Sequence, residues 1–114
     1  MEDLRSYIPE LIESLQKVDP FKIILFGSLV TGLQNEDSDI DLVVILNTDD
    51  LPKNTDEKLQ YKVRVRKAIR DISFEIPIDL IVYTKAELSK LESIQSPFIN
   101  EISNKGEILY ERAG

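Results

Sequence analysis

Residues 21–46 read FKIILFGSLVTGLQNEDSDIDLVVIL: two apolar runs joined by a polar connection that opens with Gly27-Ser28 and closes with Ser38-Asp39-Ile40-Asp41. Phe21 to Phe26 is apolar and β-branched enough to form a buried strand, and Gly27-Ser28 ends it with residue types that open turns and cap helices. A strand is therefore expected to hand over to a glycine turn and a helix start. Such a junction presents unpaired backbone N–H groups and the positive end of a helix dipole, with the Ser28 hydroxyl as a further donor. That arrangement suits phosphate.

The second run, Ile40 to Leu46, predicts another strand. Alternation puts Asp39 and Asp41 on one face, roughly 6 to 7 Å apart along the backbone. Like charges so close repel unless a cation lies between them, and hard divalent ions such as Mg²⁺ take oxygen ligands of this kind. A third acid, Asp79, interrupts the apolar run Ile76 to Tyr83. Buried and unpaired, a charge there would cost several kcal/mol, so Asp79 is expected at an edge or facing the same cleft.

Taken singly, each feature is ordinary. A Gly-Ser pair is a common turn, an Asp-x-Asp pair a common solvated strand end, and one strand Asp an edge charge that discourages aggregation. In this order and together they point to catalysis. Two other motifs fail at named positions. Gly27 and Gly32 have the outer spacing of a P-loop, but Leu33 and Gln34 stand where Lys and Ser/Thr are needed. Asp37, Asp39 and Asp41 imitate the start of an EF-hand, but Leu42 replaces its glycine and Thr48 its bidentate Glu.

Across nearly its whole length the chain resembles the DNA polymerase beta-like nucleotidyltransferase superfamily, and within it the antitoxin-type minimal nucleotidyltransferases. The resemblance implies that Gly27 and Ser28 hold nucleotide phosphates, and that Asp39 and Asp41 bind two Mg²⁺ ions in a site completed by Asp79. Where many relatives have a small residue and an Arg before the second glycine, this chain has Val30 and Thr31. Lys22, Lys53 or a partner's side chain is a candidate for the missing cation.

The 114 residues, 42% hydrophobic and 31% charged, fit one globular domain spanning 1–114. No apolar stretch approaches a membrane span, and Met1 to Arg5 lacks the regions of a signal peptide, so a cytoplasmic protein is expected. Without cysteine or histidine, disulfides, thiolate zinc sites and imidazole bases are impossible, and carboxylates must carry the chemistry. A net charge of −7 disfavours a long nucleic acid as substrate. Lys62, Arg64, Arg66, Lys67 and Arg70 form one cluster that folding could concentrate into a basic patch, but on a helix they spread around much of the circumference, as a solvated face does.

Leu4, Ile8, Leu11, Ile12, Leu15 and Val18 make one apolar stripe on a first helix ended by Pro20. The polar stretch Asn47 to Thr55 predicts a loop beside the site. Leu59, Val63, Ala68, Ile69 and Ile72 mark a helix over about 56–73, and the Pro77 strand follows. Thr84-Lys85-Ala86-Glu87 has capping-box spacing, Ser96-Pro97 opens a further helix stopped by Gly106, and Glu107 to Tyr110 is a last strand. The fold class is α/β, a small mixed sheet flanked by helices; its strand order is implied only by the resemblance.

The resemblance implies transfer of a nucleoside monophosphate, AMP from ATP, to a hydroxyl acceptor. It also implies a HEPN-domain toxin partner, with a partner tyrosine as acceptor and an antitoxin role. Two alternatives stay open: an antitoxin that only binds and occludes its partner, and an aminoglycoside-type adenylyltransferase. A homo-oligomer is compatible with all of these.

Overall fold

The computed structural model describes residues 4–32 and 39–113. Outside them lie Leu33 and Gln34 of the P-loop comparison, Asp37 of the EF-hand comparison, Ser38 of the Ser-Asp-x-Asp segment, and Met1 to Asp3. The elements run α1 Ile8–Leu15, β1 Pro20–Phe26, α2 Ser28–Thr31, β2 Ile40–Leu46, α3 Thr55–Ala68, α4 Arg70–Glu75, β3 Ile78–Thr84, α5 Lys85–Ser93, α6 Pro97–Lys105 and β4 Glu107–Glu111. The strands form one sheet in the order β3-β2-β1-β4. β1 is antiparallel to β2 and β4, whereas β2 and β3 are parallel, joined by the crossover through α3 and α4. The expected α/β fold is present.

Leu42 to Leu46 are all buried, as befits a central strand covered on both faces. One face, with Leu25, Leu42, Val44 and Leu80, joins Leu11 and Leu15 of α1 and Val65 of α3 in the main core. The other, with Ile24, Val43 and Ile45, packs against Leu88 of α5 and Phe98 and Ile102 of α6. Asp41 alternates with Ile40 and Leu42, so it belongs to this second face.

The first stripe folds as read: Leu4 to Val18 is helical, α-helical over α1 and 3-10 on either side, with Leu11, Leu15 and Val18 buried. The helix stops one residue earlier than expected. Asp19 turns it in the left-handed region (φ 53°), and Pro20 is already the first residue of β1. The predicted 56–73 helix is two helices, broken at Ile69 (φ −111°, ψ 19°), which is buried with Val65 and Ile72. Two members of its expected stripe, Leu59 and Val63, are instead 54% and 42% exposed.

The other boundaries follow local chemistry. Asn54 caps α3 by accepting from the Glu57 amide at 2.9 Å. Thr84 and Glu87 form the predicted capping box, with reciprocal bonds of 3.0 and 3.1 Å. Ser96 precedes Pro97 at the start of α6, but its side chain makes no capping hydrogen bond. Gly106 ends α6, where a Cβ would meet Ile102 O at 2.6 Å and Ile24 Cγ2 at 2.7 Å.

The loop after β2 is a correction. It was expected beside the acidic site, but it leaves β2 at Leu46, and Asp41 lies near the strand's other end. Seven extended residues at about 3.3 Å each put those ends about 20 Å apart. The loop is tied down where it lies: Lys85 N donates to Thr48 O at 3.1 Å, Lys53 N to Glu57 Oε2 at 2.6 Å, and Tyr61 OH to Asp50 Oδ2 at 2.5 Å.

Candidate active site

Gly27 joins β1 to α2 with φ +79°, a conformation that side chains resist. A Cβ there would lie 2.1 Å from Asp41 Oδ2, so the glycine is required by sterics as well as by backbone angle. The cause is the β1–β2 register, which sets Phe26 opposite Asp41. Gly27 O accepts from Val30 N at 3.1 Å and Thr31 N at 3.2 Å, and Gly32 closes the turn with its N donating to Ser28 O at 3.0 Å.

Gly27, not Ser28, occupies the capping position, and Ser28 is the first helical residue. Among the described residues the Ser28 hydroxyl has no hydrogen-bond partner, which leaves it free to donate outward. Because α2 is a single turn of four residues, local N–H groups outweigh any macrodipole here.

Asp41 and Asp79 are neighbours across the parallel pair β2–β3, on strands about 4.8 Å apart. Asp41 is half-buried, and Asp79 and Asp39 are exposed, with Asp39 just ahead of the strand. Burial first, then the charges of Asp79 and Asp39, push the Asp41 carboxyl above its ordinary value of 3.8. The charges of Asp39 and Asp79 therefore both reach Asp41. Among the described residues none of them has an ion-pair partner. Among the same residues no three Asp, Glu, His or Cys side chains converge closely enough to enclose a metal ion. Still, the donors are all carboxylate oxygens whose mutual repulsion a hard divalent cation would relieve, so the set fits Mg²⁺ by chemistry.

Neither lysine expected to assist is near. Lys22, at the opposite end of β1 from Phe26, is paired with Glu111 at 3.2 Å, and Lys53 lies in the loop beyond Leu46. A lysine that the sequence reading did not single out, Lys105, borders the Gly27 turn. With Glu101 and Phe98 of α6 it lines a groove of about 200 Å³ that Gly27 and Thr31 also border. Nothing local in the sequence signals this, because Lys105 reaches the turn only through packing of α6 on β1.

Residues 9–113 match the family described as Polymerase beta, Nucleotidyltransferase. The chain belongs to this family. Its nucleotidyltransferase character and the expected fold are thereby borne out. It is 28% identical over 85 residues to the "Putative protein adenylyltransferase MJ0141" of Methanocaldococcus jannaschii, covering 75% of this chain and 74% of that protein. It is also 36% identical over 69 residues to caffeine-induced protein 16 of Schizosaccharomyces pombe, covering 60% of this chain but only 5% of that protein's length. Among solved structures it resembles a "putative nucleotidyltransferase" of Sulfolobus solfataricus, with TM-score 0.59, 17% identity, and coverage of 94% of this chain and 79% of the other. A toxin-antitoxin solved with AMP-PNP gives TM-score 0.55 at 20% identity, covering 92% of this chain and 73% of the other. At these identities the two structures support the fold. Among the described residues no helix is long and apolar enough to cross a membrane.

Proposed function

We propose that this protein transfers AMP from ATP to a hydroxyl acceptor, a tyrosine of a HEPN-domain toxin partner, and so acts as an antitoxin. The observation that carries the reading is the contact of Gly27 with the Asp41 carboxylate, in register with Asp79. It sets the Gly27-Ser28 turn directly against Asp41, which supports reading the turn as the phosphate cradle. The naming of one relative as a protein adenylyltransferase, and the toxin-antitoxin neighbour solved with AMP-PNP, support the choice of nucleotide and partner.

In this mechanism the Gly27-Ser28 turn orients the triphosphate through backbone N–H groups and the Ser28 hydroxyl. Asp39, Asp41 and Asp79 would hold two Mg²⁺ ions, which when bound supply neutralisation of the triphosphate charge. The exposed carboxylate of Asp79 accepts the proton of the acceptor hydroxyl. The hydroxyl oxygen bonds to the α-phosphorus as the bond from that phosphorus to the bridging oxygen breaks, and pyrophosphate leaves. The half-buried Asp41, pressed against Gly27, fixes the distance between turn and acids.

An antitoxin that binds and occludes its partner without transfer is the second reading. It is favoured by Val30 and Thr31, which stand where many relatives have a small residue and an Arg. Incubation of α-labelled ATP and Mg²⁺ with the purified toxin partner separates the two. Label on a partner tyrosine, lost in a folded Asp41→Asn variant, is the expected result. A stable complex without label, whose neutralisation survives Asp39→Asn with Asp41→Asn, would overturn transfer in favour of occlusion.

A further inference from the structure

The charge of this chain is unevenly distributed. Residues 58–70 hold six of its fourteen Lys and Arg and none of its twenty-one Asp and Glu. That span holds most of α3 and, with Arg70, the first residue of α4; α3 packs through Val65 on the face of the sheet away from Asp41. Its outer side is not merely a solvated polar surface: Leu59 and Val63, one turn apart, are 54% and 42% exposed.

Leu59 stands between an open face and a groove. The open face is the outer surface of α3, bordered by Asp56, Leu59, Gln60, Val63, Arg64 and Lys67. The groove, of about 310 Å³, lies between Leu59, Lys62 and the Leu80 to Tyr83 stretch of the edge strand β3. Lys58 crosses that edge near its end, paired with Glu87 at 2.6 Å and set over the Tyr83 ring at 4.9 Å.

We propose that this face of α3, with the adjoining edge of β3, is a docking surface for an acidic segment of a partner protein that seats an apolar side chain beside Leu59 and Val63. Charge complementarity selects the occupant. A second copy docking α3 against α3 would set two clusters of cations face to face, and lysines beside an edge strand discourage self-pairing in any case. A nucleic acid would satisfy the cations but leave Leu59 and Val63 without an apolar cover. An acidic segment with an apolar anchor satisfies both. The surface is separate from the carboxylate end, and its use does not depend on catalysis.

Photo-crosslinking tests this. The full chain, with p-benzoylphenylalanine in place of Val63, is expressed in its host cells, irradiated, and its crosslinked peptides are mapped. The expected product joins a segment of another protein in which Asp or Glu flank an apolar residue. Its yield should fall at least about fivefold on Lys62→Glu with Lys67→Glu, and persist on Asp41→Asn, so failure of the transferase reading leaves it intact. Crosslinks to nucleic acid, to a second copy or to a basic segment would overturn the proposal. So would a yield indifferent to the charge reversal, or no crosslink. Circular dichroism and thermal melting of each variant establish that it is folded.

Discussion

The two ends of β2 use carboxylates in opposite ways. Beyond Leu46, acids have partners: Asp50 accepts from Tyr61 at 2.5 Å, Asp49 lies 3.8 Å from Lys85, Glu87 pairs with Lys58 at 2.6 Å, and Asp19 holds Arg112 and Asn47. At the other end Asp39, Asp41 and Asp79 face one another with no ion-pair partner among the described residues. Charges at the first end stabilise the fold slightly. At the second they oppose it, and the chain keeps them for what they can bind.

Substituting Asp41 breaks the comparison hardest. Asp41→Asn should lower transfer by about a thousandfold or more, as expected for loss of charge stabilisation at the reacting group, measured with labelled ATP at saturating acceptor. Gly27→Ala comes next. The strained φ and the 2.1 Å clash with Asp41 should destabilise the protein by about 2 to 4 kcal/mol in urea unfolding. In an Asp41→Ala background the carboxylate contacts are gone and only the remaining Cβ, at 3.3 Å, presses on the new side chain, so the penalty should shrink towards the backbone part of about 1 kcal/mol.

Smaller effects sharpen the contrast. Removing the buried cap by Thr84→Ala should cost about 1 kcal/mol of stability and leave transfer unchanged. The folded protein raises the Asp41 pKa, so its neutral form is the one favoured by folding. That stability contribution is full below the ordinary value of 3.8 and is lost as pH rises through the higher folded value. Asp41→Asn should therefore raise the melting temperature near neutral pH by a few degrees while it cripples transfer, and should flatten this part of the pH–stability curve. Least of all, Asp19→Asn, at an exposed ion pair, should change stability by less than about 1 kcal/mol.

The sequence is transparent where neighbours in the chain decide the outcome. The apolar run Ile40 to Leu46 is β2 residue for residue, and the Thr84–Glu87 capping box needs only a spacing of three. Gly27 and Asp41 are legible as a pair because one antiparallel connection joins them. Legibility fails where packing decides. Leu59 and Val63 fit an apolar stripe with Ile69 and Ile72, but only the latter two are buried, and the sheet takes up Val65, outside the stripe, with them; nothing in a helical period says which face a sheet will cover. Lys22 is near Gly27 in sequence yet lies at the wrong end of its strand, and Lys105 is distant in sequence yet borders the turn.

The Asp41–Asp79 pairing also sets the order in which the site can be built. Gly27 and Asp41 meet through an antiparallel connection, whereas Asp41 and Asp79 meet only after the chain has closed a crossover through two helices. Such non-local parallel pairing is entropically the harder contact to form. During refolding, helix and hairpin signals should therefore appear before nucleotide-transfer competence, and the return of activity would time the docking of β3.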